Sequence, residues 1–318
     1  MALDRVTLAY RAGAAFCRTV PRPLAEVSAR GVSRVAASVS KERRMLVARH
    51  LHRANPALEG RALDRAVDAT FDSYARYWID SFRLPDLSPE QVDYGFGVKG
   101  FGHIADGLAA GKGVIVVLPH LGGWEWAGVW VAKVLKVPVT AVVEPVEPPE
   151  LFEFFVDFRR KLGLNIVPLG PDAGRECLLA LAENHVVCLL ADRDILGDGI
   201  EVEFFGENTT LPAGPATLAL RTGAMLLSGA VYFEGQNGHL AFVNKPIVVE
   251  REGRFRDDVR RLTVDLAAQL EELIRRAPEQ WHLQQPNWPS DYTALEAIGK
   301  PYPRPQHGPS SAKANGVL

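Results

Sequence analysis

His120 and Glu125 stand five positions apart, just after the apolar run Val114-Ile115-Val116-Val117-Leu118 and Pro119. An imidazole exchanges a proton near neutrality, so it serves as a general base. A carboxylate one turn into the following helix would hold one ring nitrogen while the other works. With eight histidines and 38 acidic residues in 318 positions, about one such pair arises by chance, so its context must decide. The context here is a buried strand that turns through Gly122 and Gly123 into a Trp- and Val-rich helical pattern. In open α/β sheets ligands bind at the carboxyl ends of strands. The two glycines are expected to let a substrate approach the backbone, and free N–H groups at the helix start to favour nearby negative charge.

Such a pair has to be held by a sheet. Apolar runs at 113–118, 139–143, 165–169 and 186–191 alternate with helical patterns at 101–110, 123–135, 149–162 and 172–183. Repeated β-then-α order predicts an α/β fold with a mostly parallel central sheet flanked by helices on both faces. After a helix at 213–222, extended stretches at 225–233 and 239–250 flank the turn Gly235-Gln236-Asn237-Gly238, which predicts an antiparallel hairpin at the sheet edge. A charged amphipathic helix is expected at 256–276. Gly95-Phe96-Gly97-Val98-Lys99-Gly100 matches GxGxxG, but the polar, proline-bearing stretch before it supplies no buried strand, so no dinucleotide site is inferred.

Upstream, residues 3–53 read as helices broken at Pro21 and Pro23, followed by a helix to Arg83 whose Phe71, Tyr74, Trp78 and Phe82 share one face. The expected organisation is therefore a basic amphipathic helical region at 1–85 and an α/β catalytic core at 86–298, which forms one domain with those helices. A Pro- and Gly-rich tail at 299–318 is expected to be disordered.

A net charge of −2 argues against a nucleic-acid partner. That total hides an asymmetry, because residues 1–53 carry eleven Lys+Arg against Asp4, Glu26 and Glu42. Such an arm either lies on an anionic membrane surface or packs on its own domain with its arginines in water. Cys17, Cys177 and Cys188 lack CxxC spacing, so neither a metal site nor a disulfide framework is expected. A reducing compartment is the simplest setting for free thiols. No segment reaches the roughly 18 consecutive apolar residues of a spanning helix, and the first residues lack a signal-peptide core. Any membrane would be met from the side.

His120-Leu121-Gly122-Gly123-Trp124-Glu125 resembles the HxxxxD/E signature of the glycerolipid acyltransferase superfamily, in the branch shared by lipid A late acyltransferases and actinobacterial phosphatidylinositol mannoside acyltransferases. Leu190-Ala191-Asp192-Arg193-Asp194, Gly199 through Gly206 and Leu211 through Ala216 are similar to a second region of that branch. Ser73 through Trp78, Pro278 through His282 and Gln285 through Asp291 resemble the mannoside enzymes in particular, so the resemblance spans about residues 1–291. Other members carry an aspartate where this chain has Glu125.

The resemblance implies a glycerol-3-phosphate acyltransferase-like fold that moves a long acyl chain from acyl-CoA to a mannose hydroxyl of a phosphatidylinositol mannoside. His120 would be the general base, Glu125 would orient it, and no acyl-enzyme would form. Acyl-CoA would be a co-substrate, with no other cofactor and no metal, and the enzyme would sit peripherally on the cytoplasmic face of the plasma membrane. The absence of a GxSxG elbow agrees with direct transfer. By resemblance Glu144 and Glu201 help hold the acceptor; read as residues alone, they are ordinary surface carboxylates. Arg193 either meets a phosphate or pairs with Asp192 and Asp194, and Arg159 and Arg160 either meet phosphates or extend into water. Two rivals share these features: a transferase using acyl carrier protein or another lipid acceptor, and a non-catalytic lipid-binding protein.

Overall fold

The computed structural model describes residues 4–304, with the side chains of 35–39 excepted. Asp4 opens helix α1 (Arg5–Thr19) by accepting a hydrogen bond from Val6 N at 2.8 Å. Helices α2 (Arg22–Val39), α3 (Lys41–Ala54) and α4 (Gly60–Arg83) follow, and Pro21 falls at the break between the first two. A Ser88/Gln91 capping box starts α5 (Pro89–Tyr94), and then come β1 (Phe96–Lys99), α6 (Phe101–Ala109) and β2 (Val114–Leu118). The chain continues through α7 (Trp124–Val129), which runs on as a π turn over Trp130–Val134, then β3 (Val139–Val143), α8 (Pro149–Lys161), β4 (Leu164–Pro168), α9 (Ala173–Ala182) and β5 (Val186–Leu190). The remaining elements are β6 (Ile200–Phe204), β7 (Glu207–Leu211), α10 (Gly214–Thr222), β8 (Met225–Glu234), β9 (Gly238–Val243), α11 (Phe255–Arg275) and α12 (Pro289–Ala297).

Seven strands form one sheet in the order β1-β9-β8-β2-β5-β3-β4. All neighbours are parallel except β8 and β9, so the fold is the mostly parallel α/β sheet that the repeated β-then-α order requires. Every residue of β2 is buried because helices cover both faces of the central strand. Ile115 and Val117 pack with α9, α10 and α11, whereas Val114, Val116 and Leu118 pack towards α6 and α7. Burying each of these side chains is worth about 1.5 to 3 kcal/mol. On the outer flank Cys17 of α1, Ile79 and Phe82 of α4, and Leu151 and Phe155 of α8 share a further apolar cluster.

Three expectations are revised. The β8–β9 hairpin does not close the sheet edge, because the glycine-bearing stretch before it in sequence forms β1 and pairs in parallel with β9. Its Phe96 and Val98 turn inward while Gly97 and Lys99 stay exposed, a short edge strand rather than a phosphate loop. The second extended stretch ends at Val243, not at Glu250. Residues 200–211 form a separate antiparallel hairpin, β6–β7, that the periodicity did not indicate. No helix among the described residues is long and apolar enough to cross a membrane. Most of the tail expected to be disordered lies outside the described residues.

Candidate active site

β2 and β5 are neighbours, with Leu118 level with Leu190, and each strand ends within a residue of that pair. Two residues further along each chain stand His120 and Asp192, and Ala191 N donates to Leu118 O at 3.0 Å between them. Both oxygens of Asp192 engage the histidine: Nδ1 lies 2.6 Å from Oδ1, and the backbone N of His120 donates to Oδ2 at 3.0 Å. Trp281 Nε1 donates to the same Oδ2 at 2.7 Å, and Asn287 Nδ2 donates to the Asp192 backbone carbonyl at 2.9 Å. Burial would raise the carboxyl of Asp192, but the His120 charge and the hydrogen bonds of His120 and Trp281 hold it below the usual range. The imidazole itself is 37% exposed, so it is open to a substrate.

Glu125 is placed elsewhere. It lies buried in the first turn of α7, where its Oε1 accepts from Tyr77 Oη at 2.6 Å and from Arg159 Nη2 at 2.9 Å. The expectation that Glu125 orients the imidazole is corrected: the ring nitrogen it would have held is taken by Asp192, and its own oxygen serves an arginine. Arg159 is only 13% exposed and packs over the rings of Trp124 and Phe155, so it is a counter-ion inside the protein and not a cation free to meet phosphate. Desolvation disfavours its charge, but the adjoining Glu125 and Tyr77 outweigh this and raise its affinity for the proton. Arg160, by contrast, stays exposed near Asp157.

The turn between the two residues is also spent on structure. Leu121 N, Gly122 N and Gly123 N donate to the carbonyls of Pro119, Gln280 and Val231 at 2.7, 2.9 and 3.0 Å. Gly122 has φ +57°, and a Cβ there would come within 1.8 Å of Val231 O, so no other residue fits. A Cβ on Gly123 would press on the buried ring of His239. The glycines thus bring the turn against β8 rather than opening the backbone to a substrate.

The loops after β3 and β5 bring Glu144 and Arg193 together, with Arg193 Nη2 at 3.0 and 3.2 Å from the two carboxylate oxygens. Arg193 therefore pairs with neither adjacent aspartate: Asp192 serves His120, and Asp194 caps Gly197 N and Gly199 N at 3.0 and 2.9 Å. Glu201 stands exposed on β6 opposite Thr210, and among the described residues no hydrogen bond or ion pair joins it to the other candidates. His239 has Nε2 at 3.3 Å from Asp80 Oδ2.

His282 is a second residue that sequence reasoning did not place. Its backbone N donates to His120 O at 2.7 Å, and its Nε2 meets Ser73 Oγ at 2.9 Å. Burial, with the charge of His120 beside it, pushes its pKa down to about 3, so the ring is neutral at physiological pH. Beneath the site, on the α6–α7 side of the sheet, lies an apolar cavity of about 50 Å³. Leu118 and Trp124 bound it next to the turn, and Cys188, Gly229, Ala241 and Trp130 line its interior. Among the described residues no group of three or more His, Cys, Asp or Glu side chains is placed to hold a metal ion.

An open histidine gripped by a buried carboxylate stands at the carboxyl edge of a parallel sheet, beside an apolar cavity, the place where α/β enzymes bind their ligands. The chain belongs to the bacterial lipid A biosynthesis acyltransferase family, whose model matches residues 3–290. It is 35% identical over 288 residues to the phosphatidylinositol mannoside acyltransferase of Mycolicibacterium smegmatis, covering 89% of this chain and 91% of that one. It is 39% identical over 235 residues to the enzyme of the same name from Mycobacterium tuberculosis, 72% of each chain.

Proposed function

We propose that the protein transfers a long-chain fatty acyl group from acyl-CoA to a mannose hydroxyl of a phosphatidylinositol mannoside, at the cytoplasmic face of the plasma membrane. The observation that carries this reading is the position of His120, open to solvent and two residues beyond the Leu118 wall of the apolar cavity. The apolar lining suits an acyl chain that enters beside Leu118 and Trp124, which would bring its thioester carbonyl to the imidazole. The acceptor oxygen attacks that carbon as His120 takes its proton, and the C–S bond then breaks as the proton passes to the departing thiolate. General-base help of this kind is worth about 10²- to 10⁴-fold. The names of the relatives support the mannoside as acceptor. We place its sugar hydroxyls against the Glu144–Arg193 pair, with Glu201 as a further contact. Acyl-CoA is the only co-substrate that the reaction requires.

The test is transfer by the purified chain from a mixed pool of acyl-CoA species to a defined phosphatidylinositol mannoside, read by mass spectrometry of the product. Labelled acyl carrier protein offered alongside separates the two donors, and slow hydrolysis of acyl-CoA without acceptor separates an enzyme from a lipid carrier. His120→Ala is expected to abolish transfer with unfolding unchanged; near-normal transfer by that variant would sink the mechanism.

A further inference from the structure

We propose that Asp192, and not Glu125, is the carboxylate that positions the base: it keeps the proton on His120 Nδ1 and leaves the Nε2 lone pair for the acceptor hydroxyl. The inference rests on the reading of His120 as general base and assigns the partner that this base works with.

The argument is geometric. One oxygen of Asp192 holds the imidazole at Nδ1 and the other holds the backbone N of the same residue, so turning the ring away breaks the shorter of the two contacts. The carboxylate is itself fixed, because Trp281 Nε1 donates to it and Asn287 anchors its carbonyl. Two fixed donors, the backbone N of His120 and Trp281 Nε1, hold this buried carboxylate ionised and acceptor-only, so Nδ1 must be the nitrogen that carries hydrogen. Nε2 is then the acceptor, aimed away from Asp192.

During transfer a C–O bond forms at the thioester carbon and the hydroxyl proton moves to Nε2. The imidazolium so formed presents its Nδ1–H to the anionic Asp192, which offsets its charge. Collapse of the tetrahedral intermediate breaks the C–S bond, and the Nε2 proton leaves with the thiolate. Asp192 is thus never protonated and touches no substrate; it acts through His120. Glu125 does not take this part: among the described residues no hydrogen bond or ion pair joins it to His120, and its Oε1 serves Tyr77 and Arg159.

The experiment is nitrogen NMR of the full chain with labelled histidine, the His120 signals being identified by their loss in His120→Gln, together with steady-state kinetics. Wild type is expected to show the Nδ1–H tautomer of His120 when the ring is neutral. Asp192→Asn should populate the Nε2–H tautomer and lower kcat by about 10²- to 10⁴-fold, with KM for acyl-CoA changed less than about threefold. Glu125→Gln should keep the Nδ1–H form. An Nε2–H tautomer in wild type, which needs no variant to fold, overturns the proposal. So does wild-type tautomer and turnover in Asp192→Asn, or a tautomer switch in Glu125→Gln. Full activity of His120→Ala beside an intact Nδ1–H signal in wild type would instead overturn the reading of His120 as base.

Discussion

Glu125 and Arg159 form a buried ion pair, 2.9 Å between Oε1 and Nη2, with 1% and 13% of their side chains exposed. The pair ties α7 to α8, and Tyr77 of α4 closes on the same oxygen. Burial raises the Tyr77 hydroxyl far above its ordinary range and the neighbouring carboxylate raises it further, so it remains a donor. Removing one partner of such a pair strands the other, which typically costs about 3 to 5 kcal/mol. Glu125→Gln is therefore expected to lose stability of that order in denaturant unfolding at pH 7. Adding Arg159→Met should restore part of the loss, because no charge is then left unpaired. A loss below about 1 kcal/mol in the single variant would contradict the arrangement.

Asp291 is a second buried carboxylate with cationic company. It is fully buried, with Arg49 Nε at 2.7 Å, Arg53 Nη2 at 2.8 Å and His50 Nε2 at 3.2 Å. Desolvation would raise its carboxyl, but the His50 hydrogen bond and charge, followed by Arg53 and Arg49, hold it well below the usual range. A depressed folded-state value means that this contribution is present above the unfolded value near 3.9 and is lost as pH falls below it. Asp291→Asn should cost several kcal/mol at pH 7. The gap between variant and wild type should narrow from about pH 4 downward. Unfolding curves between pH 7 and 2 check this; a gap independent of pH would count against it.

His282 carries the opposite kind of group with the same direction of pH effect. Its pKa of about 3 lies below the ordinary imidazole value because burial, and then the charge of His120, oppose protonation. The unfolded chain binds that proton near pH 6.5, so stability falls as pH drops from about 6.5 towards the folded value, by up to about 1.4 kcal/mol per pH unit. His282→Gln, which retains a partner for Ser73, is expected to flatten the stability profile over that window while lowering stability at pH 7. An unchanged slope between pH 6 and 4 would remove His282 as its source.

Much of this was legible in the chain, and the parts that were not have physical causes. The central strand, the turn at 119–123 and His120 all follow from an apolar run that ends in Pro-His and glycine. Asp192 was visible as the first acid after a buried run, but its meeting with His120 depends on β5 lying beside β2, and strand order is not encoded in local periodicity. Once that neighbour is known, counting two residues past Leu118 and Leu190 finds the pair. Glu125 was misread because spacing along one helix says nothing of Tyr77 and Arg159 arriving from two others. β1 was missed because a glycine and a lysine dilute its apolar signal, leaving only Phe96 and Val98 to mark the inward face.

Among the described residues, helix α2 leaves several large apolar side chains exposed. Ala25 is fully buried, and Arg22 anchors the helix to Asp80 at 2.7 Å. Leu24, Val27 and Val32 are nevertheless 59%, 68% and 70% exposed, and Leu8 and Phe16 of α1 are exposed as well. Arg30 and Arg34 flank these side chains, each more than half exposed, so water and salt screen their contacts with Glu26 and Asp72. Apolar side chains interleaved with arginines on short helices suit the interface of an anionic bilayer. Inserting each such side chain is worth about 1.5 to 3 kcal/mol when fully buried. Replacing Leu24, Val27 and Val32 together by Ser should weaken binding to vesicles containing phosphatidylinositol by at least about tenfold, the equivalent of 1.4 kcal/mol. Raising the salt should weaken wild-type binding further through the arginines. Transfer to a short-chain acceptor in solution should be spared, because none of the three residues lines the cavity or touches His120. Vesicle cosedimentation and a soluble-acceptor assay measure the two effects separately, and equal vesicle binding by the triple variant would rule out α2 as the docking face.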